Sequence, residues 1–342
     1  MTTLRSIACA VAVLAVVLTA AAQGGRQAMH IGVAPDKQAT WTLGKQLITD
    51  YHLKGFPRPI FWPVLAPGGQ PLTRGWPMEQ APEGGSKDHV HQKSLWFCHG
   101  DVIPEGVALE QKIKGVDGVD FWSEATGHGK IVVTKVDKFG GGTVGDVNYR
   151  FIRMENEWRT ADGMKIMDED RKIAVHDLGK ANLIVFNIKL TASVAPITFG
   201  DTKEGALGVR INDTIRAGKL GNGKIENAQG KLGEKECWGR ISEWCDYSGP
   251  IDGKVVGLTV FADPKNAHPT YWHVRDYGLM AANPFGRKKA AFHDGAADKP
   301  LVKLAKGENL ELRYGVLLHE GDVTTGEVAA NYQRFVKLRE KE

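Results

Sequence analysis

Apolar and polar positions alternate with a period of two along much of the chain. Val147, Tyr149, Phe151 and Arg153 fall on one face of one such stretch, and Val107, Leu109, Gln111 and Ile113 on one face of another. This alternation predicts half-buried strands. Leu183-Ile184-Val185-Phe186-Asn187-Ile188 is a nearly continuous apolar run, the pattern of a strand buried on both faces. Val256 to Phe261 and Leu310 to Leu318 also read as strands, rich in β-branched and aromatic residues and bounded by turn formers. Gly140-Gly141-Gly142 predicts a turn between two strands, and no helical pattern follows it to make a phosphate-binding loop. Pro57 to Pro82 predicts an extended loop. One helix is predicted near the C-terminus. Thr324-Thr325-Gly326-Glu327 has the form of a capping box, and Val328, Tyr332, Phe335 and Val336 recur at helical spacing. Strands do not alternate with long helical patterns, which argues against a doubly wound α/β fold. The expected fold is all-β: one large, mainly antiparallel β-sandwich over residues 23–342, with the helix as a C-terminal strap. Two smaller β domains are the alternative.

The N-terminus changes where that fold begins. Arg5 precedes an apolar run from Ile7 to Leu18, and Ala20-Ala21-Ala22 follows. This predicts a signal peptide over residues 1–22, cut near Ala22–Gln23. The run falls short of the roughly 20 residues of a spanning helix. The mature chain is expected to be exported, periplasmic or secreted, with no membrane association after cleavage. The formal charge of +4 is small for 342 residues, and acids and bases are interspersed, which argues against a nucleic-acid partner. Cys98, Cys237 and Cys245 remain after cleavage. Export would permit a Cys237–Cys245 disulfide, and buried thiols are the alternative.

The candidate chemistry lies in five stretches. Asp88-His89-Val90-His91 to His99-Gly100-Asp101 holds three histidines and two carboxylates. His89 and His91 share a face if the segment is extended, and histidine serves as acid, base or metal ligand. Gly118 to Trp122, followed by His128, would let a ligand approach Asp120 and Trp122 closely. Glu204 and Arg210 flank a short predicted strand, as a base and a hydroxyl-binding fork or as a surface ion pair. Trp238-Gly239-Arg240 with Trp244-Cys245-Asp246 to Gly249, and Pro269 through Trp272-His273-Val274-Arg275 and Tyr277 to Asn283 and Gly286, interleave aromatics with Asp, His, Arg and Asn. Aromatic faces can cover the C–H faces of sugars while the polar groups bind hydroxyls, and a core with a polar rim has the same composition.

Together these stretches, with Arg58-Pro59 to Pro63 and Thr73-Arg74, resemble the exported bacterial "PmoA family", also labelled "methane oxygenase PmoA". The resemblance covers most of the mature chain. Where the family pattern reads Asp-His-Pro-His-His, this chain reads Asp88-His89-Val90-His91-Gln92 and lacks the last histidine. The general look of the family is similar to galactose-mutarotase-like β-sandwiches, which bind sugars in a groove. The resemblance implies that fold and adds Arg74 to the candidate ligand contacts.

Three functional readings follow. In the first, a carbohydrate-active enzyme, mutarotase-like or glycan-modifying, works with His89, His91 or His99 as acid and Glu204 or Asp246 as base. Arg74, Trp122, Arg210, Trp244, Trp272, His273, Arg275 and Asn283 would hold its small-molecule or oligosaccharide substrate, with no cofactor and no metal. In the second, the same residues bind carbohydrate without chemistry. In the third, His89, His91 and one of His99, Asp101 or His128 hold a catalytic metal.

Overall fold

The computed structural model describes residues 27–338, and the expected signal segment lies outside the described residues. In chain order the strands are β1 (Met29–Ala34), β2 (Gln38–Leu43), β3 (Gln46–His52), β4 (Ile60–Val64), β5 (Leu95–His99), β6 (Val102–Pro104) and β7 (Lys130–Val144). Then come β8 (Val147–Arg159), β9 (Lys165–Asp177), β10 (Ala181–Thr191), β11 (Ile197–Phe199), β12 (Gly205–Arg210) and β13 (Lys224–Asn227). A short α1 (Gly233–Cys237) precedes β14 (Trp244–Ile251), β15 (Lys254–Ala262), β16 (Tyr271–Arg275), β17 (Leu279–Asn283), β18 (Val302–Leu304), β19 (Asn309–Glu320) and α2 (Val328–Leu338). Among the described residues they form two eight-stranded sheets, ordered β1-β2-β3-β4-β5-β12-β17-β16 and β13-β14-β15-β19-β10-β9-β8-β7. A third sheet, β18-β11-β6, has three strands. The pairings within all three are antiparallel. This is the expected all-β sandwich.

β10 shows how the apolar run becomes a two-sided strand. Ile184, Phe186, Ile188 and Leu190 enter the core between the large sheets, where Phe186 meets Phe61 of β4 at 5.5 Å between ring centroids. Leu183 and Val185 face the opposite way, into a second cluster with Phe261, Leu317, Tyr332 and Phe335. The helix α2 therefore straps the outer face of the second sheet, as its spacing predicted. Polar groups also join the sheets: Arg171 of β9, paired with Glu169, donates to the Tyr51 hydroxyl of β3 at 2.6 Å, all fully buried.

Local details depart from the sequence reading. Val107 to Ile113 forms no strand: no neighbouring strand pairs with it, and its apolar side chains are only half-buried. Gly140 to Gly142 lie inside β7, paired with β8, and the turn falls at Gly145-Asp146. The Pro57–Pro82 segment contains β4. The capping box does not form. Asp322 Oδ1 instead accepts the backbone N–H groups of Thr324 and Thr325, and Glu327 takes a left-handed conformation (φ 52°) before α2. Cys98, Cys237 and Cys245 are buried free thiols, with no Cys237–Cys245 disulfide. Among the described residues no helix is long and apolar enough to cross a membrane.

Candidate functional site

Alternation along β16 decides which face carries the site. Trp272 and Val274 enter the core, so His273 and Arg275 face away from it, on the outer side of the first sheet. Three irregular segments stand over this face: residues 86–93, residues 107–123 and residues 200–204.

The first segment is organised by Asp88. Its Oδ1 accepts hydrogen bonds from Arg74 Nη1 (2.7 Å), Arg210 Nη2 (2.7 Å) and Ser86 Oγ (2.8 Å). Its Oδ2 lies 2.9 Å from His89 Nδ1. Partial burial pushes the Asp88 carboxyl upward. The Ser86, His89 and Arg74 hydrogen bonds and the Arg210 charge outweigh that, and they hold it well below the usual carboxylate range. A carboxylate only accepts, so Nδ1 of His89 carries the proton and Nε2 is left for a ligand. The His89 ring stacks on Tyr277 (5.0 Å, 7° between planes), and Arg210 lies over the same tyrosine. His89 has a positive φ of 45°, an uncommon conformation for a residue with a Cβ and one that clusters at functional sites. Gln92 accepts from Arg210 Nη1 at 2.6 Å and is buried. Gln92 thus braces Arg210.

His91 meets His89 edge to face at 5.7 Å. Burial, and then the charge of Arg58, pull its pKa down to about 4, so it stands neutral in the site near neutral pH. Arg58 donates to the carbonyls of His91 and Phe121 and ties the first segment to the second.

The third segment is pinned from behind by histidines and an asparagine. Nε2 of His99 lies 2.9 Å from the Gly200 carbonyl, and Nδ1 of His273 lies 2.8 Å from the Lys203 carbonyl. Asn283 Nδ2 donates to the carbonyls of Thr202 and Lys203, both at 3.0 Å. Carbonyls only accept, so these bonds fix the tautomer of each ring and leave Nε2 of His273 as an acceptor. Burial pulls His99 to about 4 and His273 to about 3, against the favourable effect of those same carbonyls. In front, the Thr202 hydroxyl donates to Glu204 Oε2 at 2.7 Å.

These segments enclose a cavity of about 440 Å³ in which His89, His91, Trp122, Glu204, His273 and Arg275 all take part. Four of the five stretches singled out in the sequence therefore meet in one place. The cavity size is that of a small-molecule site. A larger cavity, about 910 Å³, adjoins it, and Thr202, Lys203, Glu204 and Arg275 line both.

Other expected site residues have different work. Arg74 and Arg210 are buried and hold Asp88, while His99 and Asn283 hold the 200–204 segment from behind. Asp246 is not at the cavity. It sits fully buried on β14 of the other sheet, where Oδ1 meets His319 Nε2 (2.9 Å) and accepts from the Thr259 hydroxyl (2.7 Å). Trp244 packs in the cluster under α2, and Trp272 lies in the core with its indole N–H donating to the Ser242 carbonyl. Apolar burial claimed these rings before a ligand could. Asp101 accepts from the Gly118 N–H, and His128 Nδ1 bonds the Ala125 carbonyl. Among the described residues no three His, Cys, Asp or Glu side chains form a group that could hold a metal ion. Lys203, Lys114 and the orienting role of Asp88 are not signalled by the sequence, whereas Tyr277 belongs to the fifth stretch. The adjacent Asp88-His89 pair was the one available signal for that role.

A family model described as a family of unknown function, DUF6807, matches residues 38–333. No curated protein matches the chain. Among solved structures, the galactosidase domain of the α-galactosidase–sucrose kinase AgaSK is similar over 85% of this chain and 42% of that one, with 9% identity and a TM-score of 0.41. The GH36 α-galactosidase AgaB from Geobacillus stearothermophilus is similar over 86% and 41%, with 8% identity and a TM-score of 0.38. A galactose mutarotase-like protein from Clostridium acetobutylicum is similar over 86% and 99%, with 8% identity and a TM-score of 0.36. The chain thus spans about four-tenths of the length of the two galactosidases. The match to the family model runs through every segment that builds the cavity, and the chain belongs to the family of unknown function DUF6807.

Proposed function

We propose that the 440 Å³ cavity binds a saccharide and that His89 and Glu204 act on it as an acid–base pair. The observation that carries this reading is the Asp88–His89 dyad, with its proton-bearing Nδ1 on the carboxylate and its other nitrogen left for a ligand in a cavity that Glu204 also lines. Asp88 holds the ring through Nδ1 and balances the imidazolium charge while Nε2 carries the proton that is given up, the part an aspartate plays behind many catalytic histidines. His91 is less suited to be the acid, because burial keeps it neutral. Asp246 has no access to a ligand.

The reaction that fits such a pair is anomer interconversion. Glu204 takes the proton of the anomeric hydroxyl and protonated His89 gives one to the ring oxygen. The C1–O5 bond breaks to an open-chain aldehyde, which turns and recloses on its other face with both protons returned. Lys203, Lys114, Arg275 and neutral His91 and His273 supply donors and acceptors for hydroxyls. The kinship with PmoA-labelled proteins, drawn from the motifs, and export, drawn from the N-terminal segment, belong to the same proposal.

The test is anomer exchange in freshly dissolved single anomers of aldoses, followed by NMR. The wild type accelerates exchange, and His89→Ala lowers the rate on the order of 10²–10⁴-fold with an unchanged melting temperature. Unchanged exchange in that variant removes His89 from the chemistry. A second reading, binding without turnover, is favoured by the neutral state of His91 and His273, which makes them hydrogen-bonding groups. Saturable binding with no exchange in the wild type selects it.

A further inference from the structure

The larger cavity beside the site has a built connection to it. Thr202, Lys203, Glu204 and Arg275 form the wall common to both. The carboxylate of Asp201, one residue before that wall, accepts the backbone N–H groups of Arg287 (2.6 Å), Lys289 and Ala290 (3.0 Å). The far side of the larger cavity is therefore tied to the same segment that floors the smaller one. Lys289 goes further, donating from Nζ to the Gly115 carbonyl at 3.0 Å, in the segment that stands over the smaller cavity. The two spaces are parts of one frame.

The chemistry of the larger cavity differs from that of the smaller. It has no imidazole in its lining. It carries Glu234, Lys235, Asp276 and Lys289 beside the half-buried indole of Trp238. Arg275 stands between the two, its guanidinium 4.1 Å over the Trp238 ring and 2.6 Å from Glu234 Oε1. Glu204 is in the wall itself, and the imidazoles are on one side of it. On the other are an aromatic body and a ring of charged donors and acceptors, which suit holding without reacting.

We infer that the ligand is an oligosaccharide that crosses this wall, with its reacting unit beside His89 and at least one further sugar unit against Trp238 and Lys289. This rests on the saccharide reading above and adds the class of saccharide. The larger cavity has about twice the volume of the smaller. A monosaccharide would leave it to solvent, whereas a chain of two or more units uses both.

The experiment is binding of the purified protein to a ladder array of mono- to hexasaccharides of the common hexoses, uronic acids and amino sugars, with affinities of the hits measured by calorimetry. Oligomers are expected to bind at least about tenfold tighter than the matching monomer, a difference of about 1.4 kcal/mol. Lys235→Trp crowds the larger cavity from an exposed position, and Lys289→Ala removes its bridge. In both, the ratio of oligomer to monomer affinity is expected to fall toward one. Monomers that bind as tightly as their oligomers overturn this inference and leave the saccharide site standing. A ratio unmoved by both variants also overturns it. No binding by any sugar of any length overturns the saccharide reading itself.

Discussion

Asp88 receives two arginine side chains that are themselves buried, and its other oxygen is given to His89. Removing its charge acts on two properties at once. Asp88→Asn leaves the Arg74 and Arg210 guanidinium groups facing a neutral amide and deprives Nδ1 of a charged acceptor. Hydrogen bonds to charged groups are worth about 1.5–3 kcal/mol, and partial exposure of Asp88 places the expected loss of stability toward the low end. Catalytic exchange is expected to fall on the order of a hundredfold in the same variant. Urea denaturation and anomer exchange measure the two effects separately. A stability loss with full turnover would show that Asp88 braces the segment without orienting His89. Arg210→Lys is a poor substitute in either respect, because one ammonium does not reach Asp88 and Gln92 with the geometry of a fork.

At the scale of elements, β12 depends on lacking side chains. A Cβ on Gly208 would lie 2.6 Å from the Trp96 indole and 2.8 Å from that of Trp122, and both rings are fully buried and already edge to face at 4.9 Å. At least one of the two rings must shift to admit the methyl. Gly208→Ala is expected to cost about 1–3 kcal/mol, visible as a lower melting temperature and altered tryptophan fluorescence. An unchanged melt would mean that the β5–β12 contact is softer than it looks. The strands were the most legible part of the sequence, since β8, β10, β15 and β19 follow directly from alternation or apolar runs. Alternation misled at Val107 to Ile113 because periodicity records which side chains are half-buried, and a segment lying over a cavity meets that condition without a partner strand. The candidate site was legible as a set of residue types. His89, His91, Trp122, Glu204, His273 and Arg275 do meet. What sequence did not provide was the sheet to which each strand belongs. Asp246 and Trp244 looked equivalent to Arg275 by composition, yet β14 pairs in the other sheet. Nor did sequence separate residues that face a ligand from those that face a carbonyl, as the places of His99 and Asn283 show.

At the scale of the whole molecule, three histidines of the site region are held neutral by burial: His91 and His99 near 4 and His273 near 3. In the unfolded chain each would titrate near 6.5. Above that pH both states are neutral and the histidines contribute nothing to the pH dependence. As pH falls from about 6.5 toward 4, the unfolded chain takes up protons that the folded protein refuses, so stability declines through that window, and His273 extends the decline toward 3. The depressed Asp88 carboxyl acts in the same direction, but only below its ordinary value near 3.8. Melting temperature measured from pH 7.5 to 4 is expected to fall monotonically below about 6.5. A flat profile across that interval would mean that these rings protonate freely in the folded state.

The segment at residues 200–204 has its carbonyls held from behind, while Lys203 lines both cavities in front. Its shape is thereby separated from its chemistry. The bonds that hold its carbonyls come from His99, His273 and Asn283, which stay the same whatever side chain position 203 carries. Natural variation and laboratory selection can therefore rewrite what is recognised at Lys203 while the fold barely registers the change. The three residues behind it are the opposite kind of position, where even a mild exchange would disturb both cavities together. In a lineage adapting to a new ligand, the front of this segment is where novelty costs least.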